Sequence, residues 1–425
     1  MKNLSTILII LSVLTFIGCK DVKTDPAMDT YLSGLLESKN YFKLRTELTN
    51  VQGKLSESRL LYYRMHCEQA FGNGLQSNKS ADKLLKKYKD RLNDTLVVEI
   101  LNVKADNYVR DYQYKQAAEI YSLFQNTVSD SLELAAYQNL QALYGTLATV
   151  KPQQIHLHRD TEIKAYRNRF NHLMTPVKCG GVTDEFVFDS GANLSTISDS
   201  CAIKMGLTIF ESSIKVGTVT DVSIRTKLAV ADSLYVGGIL FENVVFLVAP
   251  AAQMSFPSVN YEIHGVVGFP VFYQMGEIHV RKDGTIFIPQ KPGNRHLENM
   301  FLHGLNPVVQ LLSGNDTLLL TFDTGAKSSE LSKKYYENHK ADVEQKGKLK
   351  TSMRGGGGGI VETEEYNLPD FPYQIGNSRN VLPEISVNIQ DYDFNKPFDG
   401  NLGQDVIMQF NEMVLNFKYM YIDFE

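Results

Sequence analysis

One short apolar stretch occurs twice in this chain, and the repetition constrains the fold more than any other feature. The first copy is Phe186-Val187-Phe188-Asp189-Ser190-Gly191-Ala192, and the second is Leu320-Thr321-Phe322-Asp323-Thr324-Gly325-Ala326. Each is a β-prone run ending on Asp, a small hydroxyl residue and Gly, as in a buried strand that delivers a carboxylate into a tight turn. A single such triplet says little, because Asp, Ser and Gly are ordinary turn residues. Here the flanks repeat as well. Gly265-Val266-Val267-Gly268 follows the first copy and Gly400-Asn401-Leu402-Gly403 the second, at offsets of 268 − 189 = 79 and 403 − 323 = 80 positions. A Glu-led hairpin pattern starts next in each, at Glu277 and Glu412. A unit of roughly a hundred residues, the size of a small domain, has been duplicated.

At these residues the chain resembles the aspartic peptidases, the bilobal pepsin-like and retroviral-like group. In that family each lobe supplies an apolar-apolar-Asp-Thr/Ser-Gly-Ala/Ser motif and, later, an apolar-apolar-Gly motif that packs across it. Val266-Val267-Gly268 and Asn401-Leu402-Gly403 hold the second position, the latter beginning with Asn where the family has an apolar residue. The resemblance covers about residues 170 to 425. It implies Asp189 and Asp323 as the catalytic pair of an aspartic endopeptidase. It further implies Ser190 and Thr324 tying the two turns together, with Gly191 and Gly325 letting them approach. Two close carboxylates resist double ionisation and share a proton, which suits one to activate water and the other to donate to a developing oxyanion. Ala192 and Ala326 offer no hydroxyl to an ionised carboxylate, so activity is expected closer to neutral pH than in gastric-type enzymes. The alternative is a peptide-binding lobe pair that has lost catalysis, with both aspartates merely capping turns.

The family also places a flap over its substrate at about the offset of Gly217 and Thr218 (217 − 189 = 28) and of Gly355, Gly356 and Gly357 (355 − 323 = 32). Five consecutive glycines, Gly355 to Gly359, permit close backbone approach at an entropic cost, with a surface linker as the alternative reading. Residues 216–222 contain no Tyr, whereas pepsin-like enzymes carry a flap Tyr in this lobe; the chain looks more like a fused retroviral-type dimer.

The N-terminal part has a different character. Leu4 to Ile17 form an apolar run after Lys2 that is short for a spanning helix and laid out as a secretory signal over 1–18. Gly18-Cys19 resembles the lipobox of bacterial lipoproteins, implying lipidation at Cys19 and a bacterial cell-envelope location; a plain secretory signal or an uncleaved anchor is the alternative. After a linker over 19–27, apolar residues recur at helical steps from 28 to 150, as in Leu32, Leu35, Leu36 and Leu60, Leu61, Met65. Asp111 to Tyr121 faintly resembles a tetratricopeptide helix pair; an irregular bundle fits as well. Such a domain could space the C-terminal part from a membrane or dock a protein. The expected architecture is α+β: an all-α domain over 28–150, then two mostly-β lobes over 155–292 and 293–425 in pseudo-twofold arrangement.

Composition serves mainly to exclude. With 425 residues, 43 % hydrophobic and 21 % charged, the chain can bury several cores. Its net charge of −5 becomes −6 without residues 1–18, which argues against a nucleic-acid partner. Cys179 and Cys201 flank the first Asp motif and could pair or stay small buried side chains. No Cys/His spacing suggests a metal, and no cofactor is called for. His158-Arg159-Asp160 matches a kinase triplet, but Ala165 stands where that pattern needs Asn and no Gly-rich nucleotide loop precedes it.

Overall fold

The computed structural model describes residues 23–51, 53–128, 130–217, 224–356, 359–390 and 397–425. The architecture is α+β and multidomain. Among the described residues seven α-helices lead: Pro26–Glu37, Tyr41–Asn50, Glu57–Ala70, Gly74–Lys87, Asp94–Arg110, Tyr114–Leu123 and Ser131–Thr146. Their starts follow from sequence. Asp25, Ser56, Asn93 and Asp130 each accept from first-turn amides, satisfying donors that a helix leaves open. The first six form three hairpins that turn alike. Lys39, Gly72 and Tyr112 have φ of 57°, 75° and 58°. After each, an amide reaches back five residues: Asn40 N to Leu35 O, Asn73 N to Glu68 O and Gln113 N to Tyr108 O. Among the described residues no helix is long and apolar enough to cross a membrane.

The β region repeats its own topology. In lobe 1, strand Val182–Phe188 runs antiparallel to Leu173–Cys179 (Met174 opposite Val187) and parallel to Gly265–Val267 (Val266 opposite Val187). In lobe 2, Asp316–Phe322 runs antiparallel to Asn306–Ser313 (Val308 opposite Thr321) and parallel to Gly400–Leu402 (Asn401 opposite Thr321). Each short strand with the second glycine motif also pairs with the strand after the Asp turn, Ser195–Ser198 or Glu330–Leu331. Each lobe adds a long hairpin, Thr208–Val216 with Ile224–Val236 and Lys348–Gly356 with Gly359–Ile375. A five-stranded sheet ties the lobes through antiparallel pairing of Glu277–Arg281 with Glu412–Asn416.

One apolar cluster runs through both lobes, with Phe186, Phe188, Leu320 and Phe322 at its centre. The helices are seated on the lobes. The first helices share a cluster with Phe301, Val308, Leu319 and Phe398 of lobe 2. The later ones share another with Leu194, Ile214, Leu228, Val230, Val245 and Leu247 of lobe 1. Buried polar contacts lock the seam. Arg110 donates to Gln69 O at 2.6 Å and, across the seam, to Gly304 O at 2.8 Å; Tyr112 Oη donates to Pro270 O at 2.7 Å.

Candidate active site

Each Asp turn is held by its own lobe first. Asp189 N donates to Val267 O and Asp323 N to Leu402 O, both at 3.0 Å. The lobe 1 strand behind its turn is dry: Phe186, Val187 and Phe188 are at most 3 % exposed. The glycine motif then closes on the turn. Gly268 N donates to Ser195 Oγ (3.0 Å) and Gly403 N to Ser329 Oγ (2.9 Å). A Cβ on Gly268 would come within 2.6 Å of Ala192 O, and one on Gly403 within 2.8 Å of Ala326 O, so the close approach requires glycine. Ala192 and Ala326 contribute carbonyls to this closure, accepting from Phe269 N and Gln404 N.

The two turns meet across the lobe interface in a reciprocal lattice. Ser190 N donates to Thr324 Oγ1 at 2.9 Å and Thr324 N donates to Ser190 Oγ at 3.1 Å. Each hydroxyl in turn donates to a strand carbonyl of the other lobe, Ser190 Oγ to Phe322 O (3.2 Å) and Thr324 Oγ1 to Phe188 O (2.8 Å). Both side chains are sealed from solvent. The carboxyls sit against the opposite turns: a Cβ on Gly191 would lie 2.5–2.7 Å from the carboxyl atoms of Asp323, and Gly325 faces Asp189 the same way.

Asp189 Oδ1 accepts from Gly191 N (2.8 Å); Asp323 Oδ1 accepts from Gly325 N (2.7 Å) and Ala326 N (3.1 Å). Burial, then the charge of Asp189 and a hydrogen bond with it, push the Asp323 pKa well above the ordinary carboxylate range, outweighing the Gly325 and Ala326 amides. Burial and the neighbouring carboxylate thus favour the protonated form of Asp323.

Several neighbours were not singled out from sequence. Ser195 and Ser329 stand at equal offsets from their aspartates, 195 − 189 = 6 and 329 − 323 = 6, and that equality was the available signal. Asp405 accepts from Ser329 N and Oγ, and burial raises its pKa against those bonds; Pro270 holds the matching place in lobe 1. Gln404 links Thr324 O to Arg167, through its amide nitrogen and oxygen respectively. Continuing the strand register places His172 opposite Asp189. Its Nδ1 meets Tyr261 Oη at 2.7 Å, and burial lowers its pKa against the charge of Asp323. The hydrogen-bonded pairings among them span seventy or more residues, beyond local pattern.

The remaining candidate positions are those of the flaps and of lipidation. Gly217 is exposed and follows the strand Thr208–Val216, and Thr218 and Gly357 lie outside the described residues. Gly355 and Gly356 close the long lobe 2 hairpin, opposite Ile360 and Gly359. Cys19 also lies outside the described residues. Cys67, Cys179 and Cys201 are free, buried thiols.

Residues 175–271, most of the first repeat, match the family model described as aspartyl protease. The match spans Asp189 and the first glycine motif and supports an aspartyl protease domain. Among curated proteins, none matches the chain.

Proposed function

We propose that this chain is an aspartic endopeptidase that hydrolyses peptide bonds by water activated between Asp189 and Asp323. The observation that carries the reading is the reciprocal Ser190–Thr324 lattice, which sets two carboxyls against each other with one pKa driven up. A scaffold gains nothing from such a pair, since buried like charges are costly to keep. In the proposed reaction the proton rests toward Asp323, and Asp189 takes a proton from the attacking water. Asp323 donates to the carbonyl oxygen as the tetrahedral intermediate forms; as the C–N bond breaks, Asp189 passes the water-derived proton to the leaving amine and Asp323 takes a proton back from the intermediate's hydroxyl. The matched family model is consistent with this chemistry.

The test is cleavage of a diverse peptide mixture by the full chain from pH 3 to 7, beside Asp189→Asn and Asp323→Asn, read by mass spectrometry. Both substitutions are expected to abolish cleavage, and chelators to leave it intact. Cleavage that survives either substitution rules out the two-aspartate mechanism. A silent wild type that still binds a statine-type inhibitor is a latent enzyme; one that does neither overturns the reading.

The Gly18-Cys19 pair after an apolar run supports anchoring to a bacterial envelope membrane through lipidated Cys19. On this proposal Cys19→Ser moves the protein from the membrane to the soluble fraction and removes labelling by a radioactive fatty acid.

A further inference from the structure

The rest of the chain treats the two long hairpins differently. In lobe 2 the strand Lys348–Gly356 ends its sheet, and its Leu349 and Met353 are 54 % and 68 % exposed. In lobe 1 the matching strand Thr208–Val216 also ends its sheet, but helix Ser131–Thr146 lies against it. Asn139 of that helix commits both ends of its carboxamide to one residue. Its Nδ2 donates to Lys215 O at 2.8 Å, and Lys215 N donates to its Oδ1 at 2.9 Å. A carboxamide so placed stands in for the peptide group of an absent neighbouring strand.

Below this contact Ile214, Leu228 and Val230 are buried in one apolar cluster with Tyr121, Leu143, Tyr144 and Leu147 of the helices. The same cluster takes in Leu194, which follows Asp189 by 194 − 189 = 5 residues. Helices, hairpin and the segment after the first Asp turn are therefore one packed unit. Close-packed interiors transmit displacement, so loosening one face shifts the others.

We propose that the N-terminal helices are a positioning element for the lobe 1 half of the active site, with Asn139 as the positioning residue that fixes the hairpin. The inference rests on the peptidase reading. Asn139 touches no reacting group, and the Ser190–Thr324 lattice ties the two Asp turns directly to each other, which limits what a shift of the hairpin does to the carboxyls. Its loss therefore weakens substrate binding and leaves the chemical step alone.

The experiment uses the full chain with a cleavable peptide. Asn139→Ala is expected to raise KM roughly threefold to tenfold, the scale of one or two lost neutral hydrogen bonds, with kcat held within about twofold. The Lys215 amide is expected to exchange hydrogen faster. Asn139→Asp supplies a rescue that follows pH. Protonated, its carboxyl again accepts from Lys215 N and donates to Lys215 O; ionised, it turns a second acceptor toward that carbonyl. Its KM relative to wild type is expected near unity at about pH 3.5 and several-fold higher at pH 6. Gln138→Ala, on the exposed side of the same helix, should change nothing. Faster Lys215 exchange with KM unmoved, or kcat and KM both degraded alongside a lower Tm, overturns the inference while the peptidase reading stands. A wild type that neither cleaves nor binds peptide overturns both.

Discussion

Thr324 makes more of the site than its size suggests, because its hydroxyl both accepts from Ser190 N and donates to Phe188 O in a dry interface. Thr324→Ala strands both partners and is expected to cost roughly 1–3 kcal/mol in urea denaturation, whereas Thr324→Ser should be close to neutral. Gly191→Ala would force a methyl into the Asp323 carboxyl, so cleavage should be lost even where circular dichroism shows a folded chain. The raised pKa of Asp323 has a definite sign in stability. The folded state holds a proton that the unfolded chain releases, so this contribution is full below the unfolded value and is lost as pH rises through the folded one. Asp323→Asn should abolish that decline, leaving the variant at least as stable as wild type at pH 7 by denaturant titration. At this scale the sequence was informative: the duplicated Asp-Ser/Thr-Gly triplets mark the residues that meet. It was silent on His172 and Gln404, whose neighbours are set by strand register and by the fold of the other lobe.

The sheet that joins the lobes carries a buried charge cluster. His279 meets Glu277 Oε1 at 2.7 Å and Glu412 Oε1 at 2.8 Å, one carboxylate from each lobe. Burial opposes the imidazolium, but the bonds to Glu277 and Glu412 outweigh it and lift its pKa above the ordinary 6.5. The stabilisation is therefore complete below about pH 6.5 and fades as pH rises through the higher folded value. His279→Gln is expected to be less stable than wild type at pH 6, with the gap narrowing by pH 9, as read by thermal unfolding; a constant gap would show that His279 acts by packing alone. The Glu-led hairpins were visible as patterns, but the pairing of one with the other was not. A strand pattern names a face, not a partner. The three helical hairpins show a similar limit: Gly72 advertises its left-handed turn, while Lys39 and Tyr112 adopt the same conformation without a glycine to mark it.

Across the whole molecule the helices and lobes share two apolar clusters, so they belong to one folding unit. Removing residues 23–150 would bare Phe301, Val308 and Leu319 on one lobe and Leu228, Val230 and Val245 on the other. The isolated lobes are expected to aggregate, as light scattering and size exclusion would report. Helical periodicity told where helices form but not what they cover, since the contact of Arg110 with Gly304 O links positions 194 apart through a backbone carbonyl that any residue supplies. The duplication itself is imperfect in one telling place. Behind the Asp189 turn the chain reads Phe269-Pro270, and behind the Asp323 turn Gln404-Asp405. A perfectly symmetric pair of half-sites would accept a peptide equally well in either orientation, as a palindrome reads alike from both ends. Here rotation by half a turn exchanges an apolar backing for a polar one; on the peptidase reading proposed above, a bound chain would have a head and a tail, its N-to-C direction written into the site before any side chain is read.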